Sequence, residues 1–123
     1  MDFNAISAAL KDSFTLEIVH PSTGEGGWFI ELAAPFHAGA QAKVNTILDR
    51  SKKRKVTTTA QDERDGVELI AARVLGWTGL KNGDDEMPYT EATCIAILAN
   101  PKSFWVRTQL IEALGDTTRP FNS

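Results

Sequence analysis

The sequence has very few of the residues that build metal and nucleophile sites. It contains one cysteine, Cys94, and two histidines, His20 and His37, among 123 residues. No intrachain disulfide can form, and no short spacing typical of structural zinc sites is present. Because residues 94–98 are all apolar, Cys94 is predicted to be a buried structural thiol. We expect no metal and no cofactor, with both histidines in loop or capping positions.

Long apolar runs and a positive net charge are absent as well. No run approaches the roughly 20 apolar residues that span a bilayer. The first residues, Met-Asp-Phe-Asn at 1–4, lack the basic and apolar segments that open a signal peptide. The net charge is −3, whereas nucleic-acid-binding domains are usually strongly basic. These features favour a protein of a reducing cytosol that enters no membrane, and they argue against wrapping by nucleic acid.

Motifs for catalysis and ion binding are incomplete. The glycine-rich residues 24–27 lie between two predicted strands, without the lysine and the helix that follow a phosphate-binding loop. The acidic residues 82–86 suggest a calcium loop, but the position that requires glutamate is Tyr89. No catalytic residue is assigned, and the chain is not expected to be an enzyme. An exposed helix face is predicted for four carboxylates: Asp62, Glu63, Asp65 and Glu68.

What the sequence does contain is the pattern of one small α+β domain, residues 1–123. Hydrophobic residues make up 42% and charged residues 24%, as in ordinary globular proteins. Apolar and polar positions alternate at residues 14–19 and 28–32, so residues 14–34 are predicted as a β-hairpin. A lone hairpin is marginal in water. We therefore expect about four helices to pack against it, with room for one more strand in the sheet.

Residues 37–115 are predicted to supply the helical part. The second of its helices is placed through Val67, Ile70, Val74 and Trp77 because these residues recur at helical spacing. Gly76 is placed to end that helix, and the polar residues 78–88 are predicted as a surface loop. Four helices are expected in all, at residues 37–53, 60–75, 90–99 and 100–114. Residues 1–12 are expected to be an N-terminal arm or short helix, and residues 116–123 a tail.

The strongest charge cluster is formed by residues 52–55, Lys-Lys-Arg-Lys, at the end of the first predicted helix. Positive charge there complements the negative end of the helix dipole, which predicts a solvated cap. The same cations could contact phosphates, and a regulatory nucleic-acid binder is a third functional hypothesis.

Large aromatic side chains are more numerous than one small core requires. Adjacent residues point to opposite faces of a strand, and they diverge by about 100° on a helix. At least one of Trp28 and Phe29, and one of the pair 104–105, is therefore expected at the surface, where aromatics mark binding patches. The alternative is that small satellite clusters bury them all. The candidates for binding a partner are Trp28, Phe29, Trp77, Phe104, Trp105 and Phe121.

Three stretches stand out in their order along the chain. The first is the predicted hairpin with its tip at residues 16–25. The second is the segment at residues 74–80, followed by Met-Pro-Tyr-Thr at 87–90. The third is the predicted helix that opens with Asn100-Pro101 and carries Trp105, Arg107 and Gln109. This order resembles the small tail assembly chaperones of long-tailed, siphovirus-like bacteriophages. The resemblance covers most of the chain from about Phe14. One departure lies in the tail, where Phe121 precedes Asn122 although the family pattern implies asparagine before the aromatic.

The resemblance implies a protein of the host cytoplasm that binds the tape measure protein. Such a chaperone keeps this partner soluble, helps to recruit tail tube protein, and leaves before the virion is complete. The alternative is a structural subunit of the virion, such as a tail completion or head–tail joining protein. The sequence leaves self-association of the chain open.

Overall fold

A three-stranded antiparallel sheet forms one layer of the molecule. The computed structural model describes residues 1–5 and 10–116. Strands β1 (Ser13–Ile18), β2 (Trp28–Ala33) and β3 (Val74–Thr78) lie in the order β1-β2-β3. Buried and exposed positions alternate along β1, as expected for a sheet with one face in the core and one in solvent. The predicted hairpin is confirmed, and a third strand extends it.

Four α-helices form the second layer. They are α1 (Ala38–Lys53), α2 (Thr59–Ala71), α3 (Glu91–Ala99) and α4 (Phe104–Leu114), and a 3-10 turn at Pro101–Ser103 leads into α4. The predicted fold class, an α+β fold with an N-terminal hairpin against about four helices, is therefore confirmed. Of the predicted arm or short helix at residues 1–12, residues 3–5 are helical and residues 6–9 lie outside the described residues; of the predicted tail at 116–123, residues 117–123 lie outside them.

Side-chain caps explain where the helices begin. His37 Nδ1 accepts the Ala40 N–H at the start of α1, at 3.1 Å. Thr58 and Gln61 form a reciprocal capping box at the start of α2. Thr90 caps α3, and Asn100 accepts the Lys102 N–H at the turn before α4. Each cap satisfies a backbone N–H that has no partner within its helix.

The core lies between the inner face of the sheet and helices α2, α3 and α4. Its most completely buried large side chains include Ile30 and Leu32 of β2 and Leu110 of α4, each at most 1% exposed. At the end of β1, the Gln109 side chain of α4 donates to the Val19 carbonyl oxygen at 2.7 Å and accepts the Val19 N–H at 3.0 Å. This amide therefore satisfies both backbone groups of the residue that follows β1.

The second predicted helix is too long. Helix α2 ends at Ala71, and the chain continues as β3 from Val74. Leu32 pairs with Val74 but Glu31 pairs with Gly76, so Leu75 is an extra residue in the ladder. This β-bulge places Val74 and Trp77 on the inner face three residues apart. A bulged strand therefore shows the same apolar spacing as a helix, which is why the pattern misled the prediction.

The predicted loop at residues 78–88 contains a small hairpin. Strands β4 (Lys81–Asn82) and β5 (Asp85–Glu86) pair across Gly83, whose φ of +66° suits glycine at the first position of a two-residue turn. All residues of both strands are exposed. The prediction of a polar surface segment holds, with regular structure added.

The predicted exposed carboxylate face of α2 is wrong at Asp65. This residue is buried, and its carboxylate binds Arg50 at 2.7 Å and Arg54 at 2.5 Å. Arg50 also pairs with Glu68, which accepts from Arg64 as well; the Glu68 side chain is 13% exposed, so the predicted exposure does not hold there either. Arg54 belongs to the basic cluster at residues 52–55, so one of its four cations is engaged. The network fastens the end of α1 to α2.

We expect acid to weaken this network. Hydrogen bonds from Arg54 and Arg50 hold the pKa of Asp65 below its ordinary value, so its stabilising effect is complete above about pH 5 and is lost as the pH falls through the lowered pKa. The Asp65→Asn variant should be less stable than the wild type at neutral pH, and its unfolding free energy should fall less between pH 6 and pH 3. Urea unfolding across this range is the measurement. Asp49→Asn, at an exposed carboxylate of α1, is the control and should keep the wild-type pH profile.

Neighbouring residues of α4 give a test of the core. Leu110 is 1% exposed and Ile111 is 53% exposed. Leu110→Ala should lower the free energy of unfolding by about 3 kcal/mol, because it opens a cavity in the core. Ile111→Ala should change it by less than about 1 kcal/mol. Equal losses in urea unfolding would contradict the assignment of the two helix faces.

Candidate functional site

The titratable residues offer little that resembles a reactive centre. Within residues 1–5 and 10–116, no three side chains among His, Cys, Asp and Glu come together as a metal site. His20 Nδ1 accepts the N–H groups of Ser22 and Thr23 in the hairpin tip, and His37 caps α1. The predicted loop and capping positions of the histidines are confirmed. In the same part of the chain, no helix is long and apolar enough to cross a membrane.

Cys94 is a core residue of α3. It is 3% exposed, as predicted for a structural thiol. Burial, with a smaller contribution from Glu91, raises the pKa of Cys94 to about 12. Because the thiolate is the nucleophilic form, this side chain has almost none of its reactive form at neutral pH.

The thiol should therefore react only when the chain unfolds. At pH 8, a colorimetric disulfide reagent should modify native protein far more slowly than protein in urea, since both access and the thiolate fraction are low in the folded state. The rate of absorbance change in the two states is the measurement. A fast stoichiometric reaction of native protein would contradict the burial of Cys94.

The three tryptophans pack in or against the core. Trp28 is 8% exposed, and its ring meets the edge of Trp77 with a centroid separation of 5.6 Å. Trp77 in turn contacts Tyr89 at 5.0 Å and donates its Nε1–H to the Met87 carbonyl oxygen at 2.9 Å. Trp105 is half-buried beside the His20 ring. A binding role for these rings stays a prediction, but the structure gives them packing roles.

Two predicted aromatics are exposed. Phe29 is 42% exposed while its neighbour Trp28 is buried, and Phe104 is 67% exposed while its neighbour Trp105 is half-buried. The expectation that one of each adjacent pair lies at the surface is confirmed. Phe121, the remaining predicted residue, lies outside the described residues. Phe29 and Phe104 belong to different layers and define two surfaces.

The first surface is the solvent-facing side of the three-stranded sheet, called here the outer sheet surface. Phe29 of β2 and Leu75 of β3 stand on it, at 42% and 37% exposure. Between them lies a shallow concavity of about 440 Å³. Its lining includes Thr15, Glu31 and Gly76, which pair across the three strands. The remaining members of the surface are Glu17 and Thr78, which flank Phe29 in the sheet register.

The second surface, called here the outer α4 surface, is a stripe on the last helix. Phe104, Thr108 and Ile111 are exposed and share one side of α4, whereas its buried residues include Val106 and Leu110. Beside Phe104 lies a cavity of about 270 Å³ whose lining includes Arg107. Arg107 is held by Glu63 at 2.6 Å and by the Leu98 carbonyl oxygen at 2.8 Å.

Among the members of these surfaces, sequence reasoning predicted only Phe29 and Phe104. Leu75 and Gly76 had been placed at the end of a helix, so their position on a sheet face was not foreseen. Ile111 could have been found, because residues 104, 108 and 111 follow the i, i+4, i+7 spacing of one helix face. Comparison of the chain with protein-family models, curated proteins and solved structures finds no match.

Proposed function

We propose that this protein is a phage tail assembly chaperone, which binds the tape measure protein and assists assembly of the tail tube in the host cytoplasm. It acts by covering apolar segments of its partners and performs no catalysis. The observation that carries the proposal is the presence of two separate apolar surfaces on one small domain.

The two surfaces suit a chaperone that holds another protein in solution, because their apolar side chains are exposed and stand on elements that pack against the core. Phe29 stands on the central strand of the sheet, and Phe104 begins a helix whose opposite side is buried in the core. Exposed apolar patches on a folded domain mark contacts with other molecules. The charged residues around them and the net charge of −3 keep such a domain soluble.

The resemblance to tail assembly chaperones supports the choice of partner. Two of its stretches lie at these surfaces: residues 74–80 contain β3, at the outer sheet surface, and the Asn100-Pro101 segment leads into α4. The third stretch is the hairpin that presents Phe29. The short motifs that carry the resemblance thus fall on elements that build the two surfaces.

Co-expression with the tape measure protein encoded beside this chain tests the proposal. Wild-type protein should raise the soluble fraction of that partner. A Phe29→Ser/Phe104→Ser variant should lose most of this effect, because it removes the apolar anchor of each surface while leaving the core intact. Val56→Ser, at an 80% exposed position between α1 and α2, is the matched control and should act like the wild type. An equally insoluble partner with and without the wild-type chain would refute the proposal.

Mass spectrometry of purified particles separates the proposal from the structural alternative. A chaperone that leaves before completion should be missing from the virion. A constant number of copies per particle would instead identify a tail completion or head–tail joining subunit. The two outcomes do not depend on the surface variants.

A further inference from the structure

We propose that the outer sheet surface docks an amphipathic helix of a partner protein, with apolar side chains of that helix over Gly76 and its lysine or arginine side chains on Glu17 and Glu31. This deepens the proposed function, on which it rests for the existence of a protein partner. It assigns one of the two apolar surfaces to a stated class of ligand.

The shape of the surface depends on Gly76. A Cβ placed on this residue would meet no atom within 4 Å, and its backbone is not in the left-handed region that favours glycine. Neither packing nor backbone conformation therefore requires glycine at this position. The missing side chain instead leaves a hollow between Phe29 and Leu75, which are both exposed. A large apolar side chain from another molecule fits such a hollow.

The charge of the surface selects the partner. Glu17 lies opposite Phe29 in the sheet register and Glu31 lies opposite Thr15, so the two residues are diagonal neighbours on one face, with Cα atoms roughly 7–8 Å apart in sheets of this kind. Glu17 accepts the Gly27 N–H at 3.0 Å, and Glu31 accepts the Ser13 hydroxyl at 2.5 Å.

No cation balances these two carboxylates. In the described part of the chain, neither forms an ion pair with lysine or arginine, and the outer sheet surface itself carries no basic residue. A partner with cations beside its apolar residues would relieve the repulsion between them.

A second copy of the chain fits this surface poorly. In a symmetric contact, the same patch meets itself across a two-fold axis. Glu17 and Glu31 of one copy would then approach those of the other, and like charges placed opposite each other are destabilising. The charge pattern therefore favours a partner of a different sequence.

A helix suits the surface better than an added strand. Strand addition would extend the sheet at one of its edges. The hollow at Gly76 and the two carboxylates lie on the face of the sheet instead. A helix against a sheet face is a standard layer of protein architecture. An amphipathic helix also carries an apolar stripe with flanking charges.

Peptide binding by the full chain tests the assignment. The probe is a synthetic amphipathic helical peptide with leucines on one side flanked by lysines, and its partner peptide has glutamates at the lysine positions. Fluorescence anisotropy should show at least about tenfold tighter binding of the lysine peptide, a difference of about 1.4 kcal/mol. Amide shifts in NMR spectra should move at Thr15, Phe29 and Leu75. Equal affinity for both peptides, or shifts confined to the outer α4 surface, would overturn the proposal.

Three variants sharpen the test. Gly76→Val, whose Cβ meets no atom within 4 Å, places side-chain volume in the hollow and should weaken binding of the lysine peptide by about tenfold without lowering the melting temperature. Glu17→Gln/Glu31→Gln removes both negative charges of the surface, so this variant should bind the lysine peptide and the glutamate peptide with similar affinity. Val56→Ser, at an exposed position between α1 and α2, is the control and should bind like the wild type. Wild-type affinity in Gly76→Val would refute the role of the hollow, and so would sedimentation showing that this substitution breaks a wild-type dimer, because the occupant would then be a second copy.

The peptide-binding experiment and the co-expression experiment can fail independently of each other. If the tape measure protein stays insoluble while the lysine peptide binds as described, the docking surface stands and the choice of partner fails. If co-expression succeeds with Gly76→Val and wild-type protein alike while the peptide results fail, the chaperone proposal stands and the docking site lies elsewhere.

Discussion

The alternation of side chains along β1 and β2 is the constraint on which the rest of the structure depends. Because successive residues point to opposite faces of a strand, burying Trp28, Ile30 and Leu32 against the helices forces Phe29 and Glu31 into solvent. Helices cover only one face of the sheet within the described residues. The inner face thus provides stability, while the outer face carries side chains that folding does not need.

The acidic residues divide in the same way. Asp65 is buried and bound by two arginines, and this pairing is what makes its burial tolerable, since an isolated buried charge is costly. Among residues 1–5 and 10–116, Glu17 and Glu31 accept hydrogen bonds only from neutral groups. The carboxylate of α2 therefore belongs to the fold, where it joins two helices. The carboxylates of Glu17 and Glu31 lie on the exposed sheet face, where cationic side chains of a partner can reach them.

Much of the fold could be predicted because local signals agree with the global structure. The hairpin follows from period-two alternation, and helix starts follow from capping residues such as Thr90 and Asn100. The burial of Asp65 could not be predicted, because its partners Arg50 and Arg54 lie on another helix and a sequence does not state which helices meet. For the candidate site, the divergence of adjacent aromatics correctly placed Phe29 and Phe104 at the surface. Their neighbours Leu75 and Gly76 were not recognised as surface residues, because this segment was predicted as the end of a helix and is a strand.

The β-bulge of β3 explains both the wrong helix prediction for this segment and the hollow at Gly76. The bulge between β2 and β3 inserts Leu75 without a partner, which shifts Trp77 to helical spacing from Val74 and disguises the strand. It also places two consecutive residues, Leu75 and Gly76, at the outer face, where a regular strand would place one. The Leu75 side chain projects into solvent, and Gly76, which has no side chain, leaves the hollow beside it. An irregularity in the ladder thus creates shape on a sheet face that regular pairing would leave flat, and bulges elsewhere are over-represented at sheet edges and next to active sites, where they re-aim a side chain.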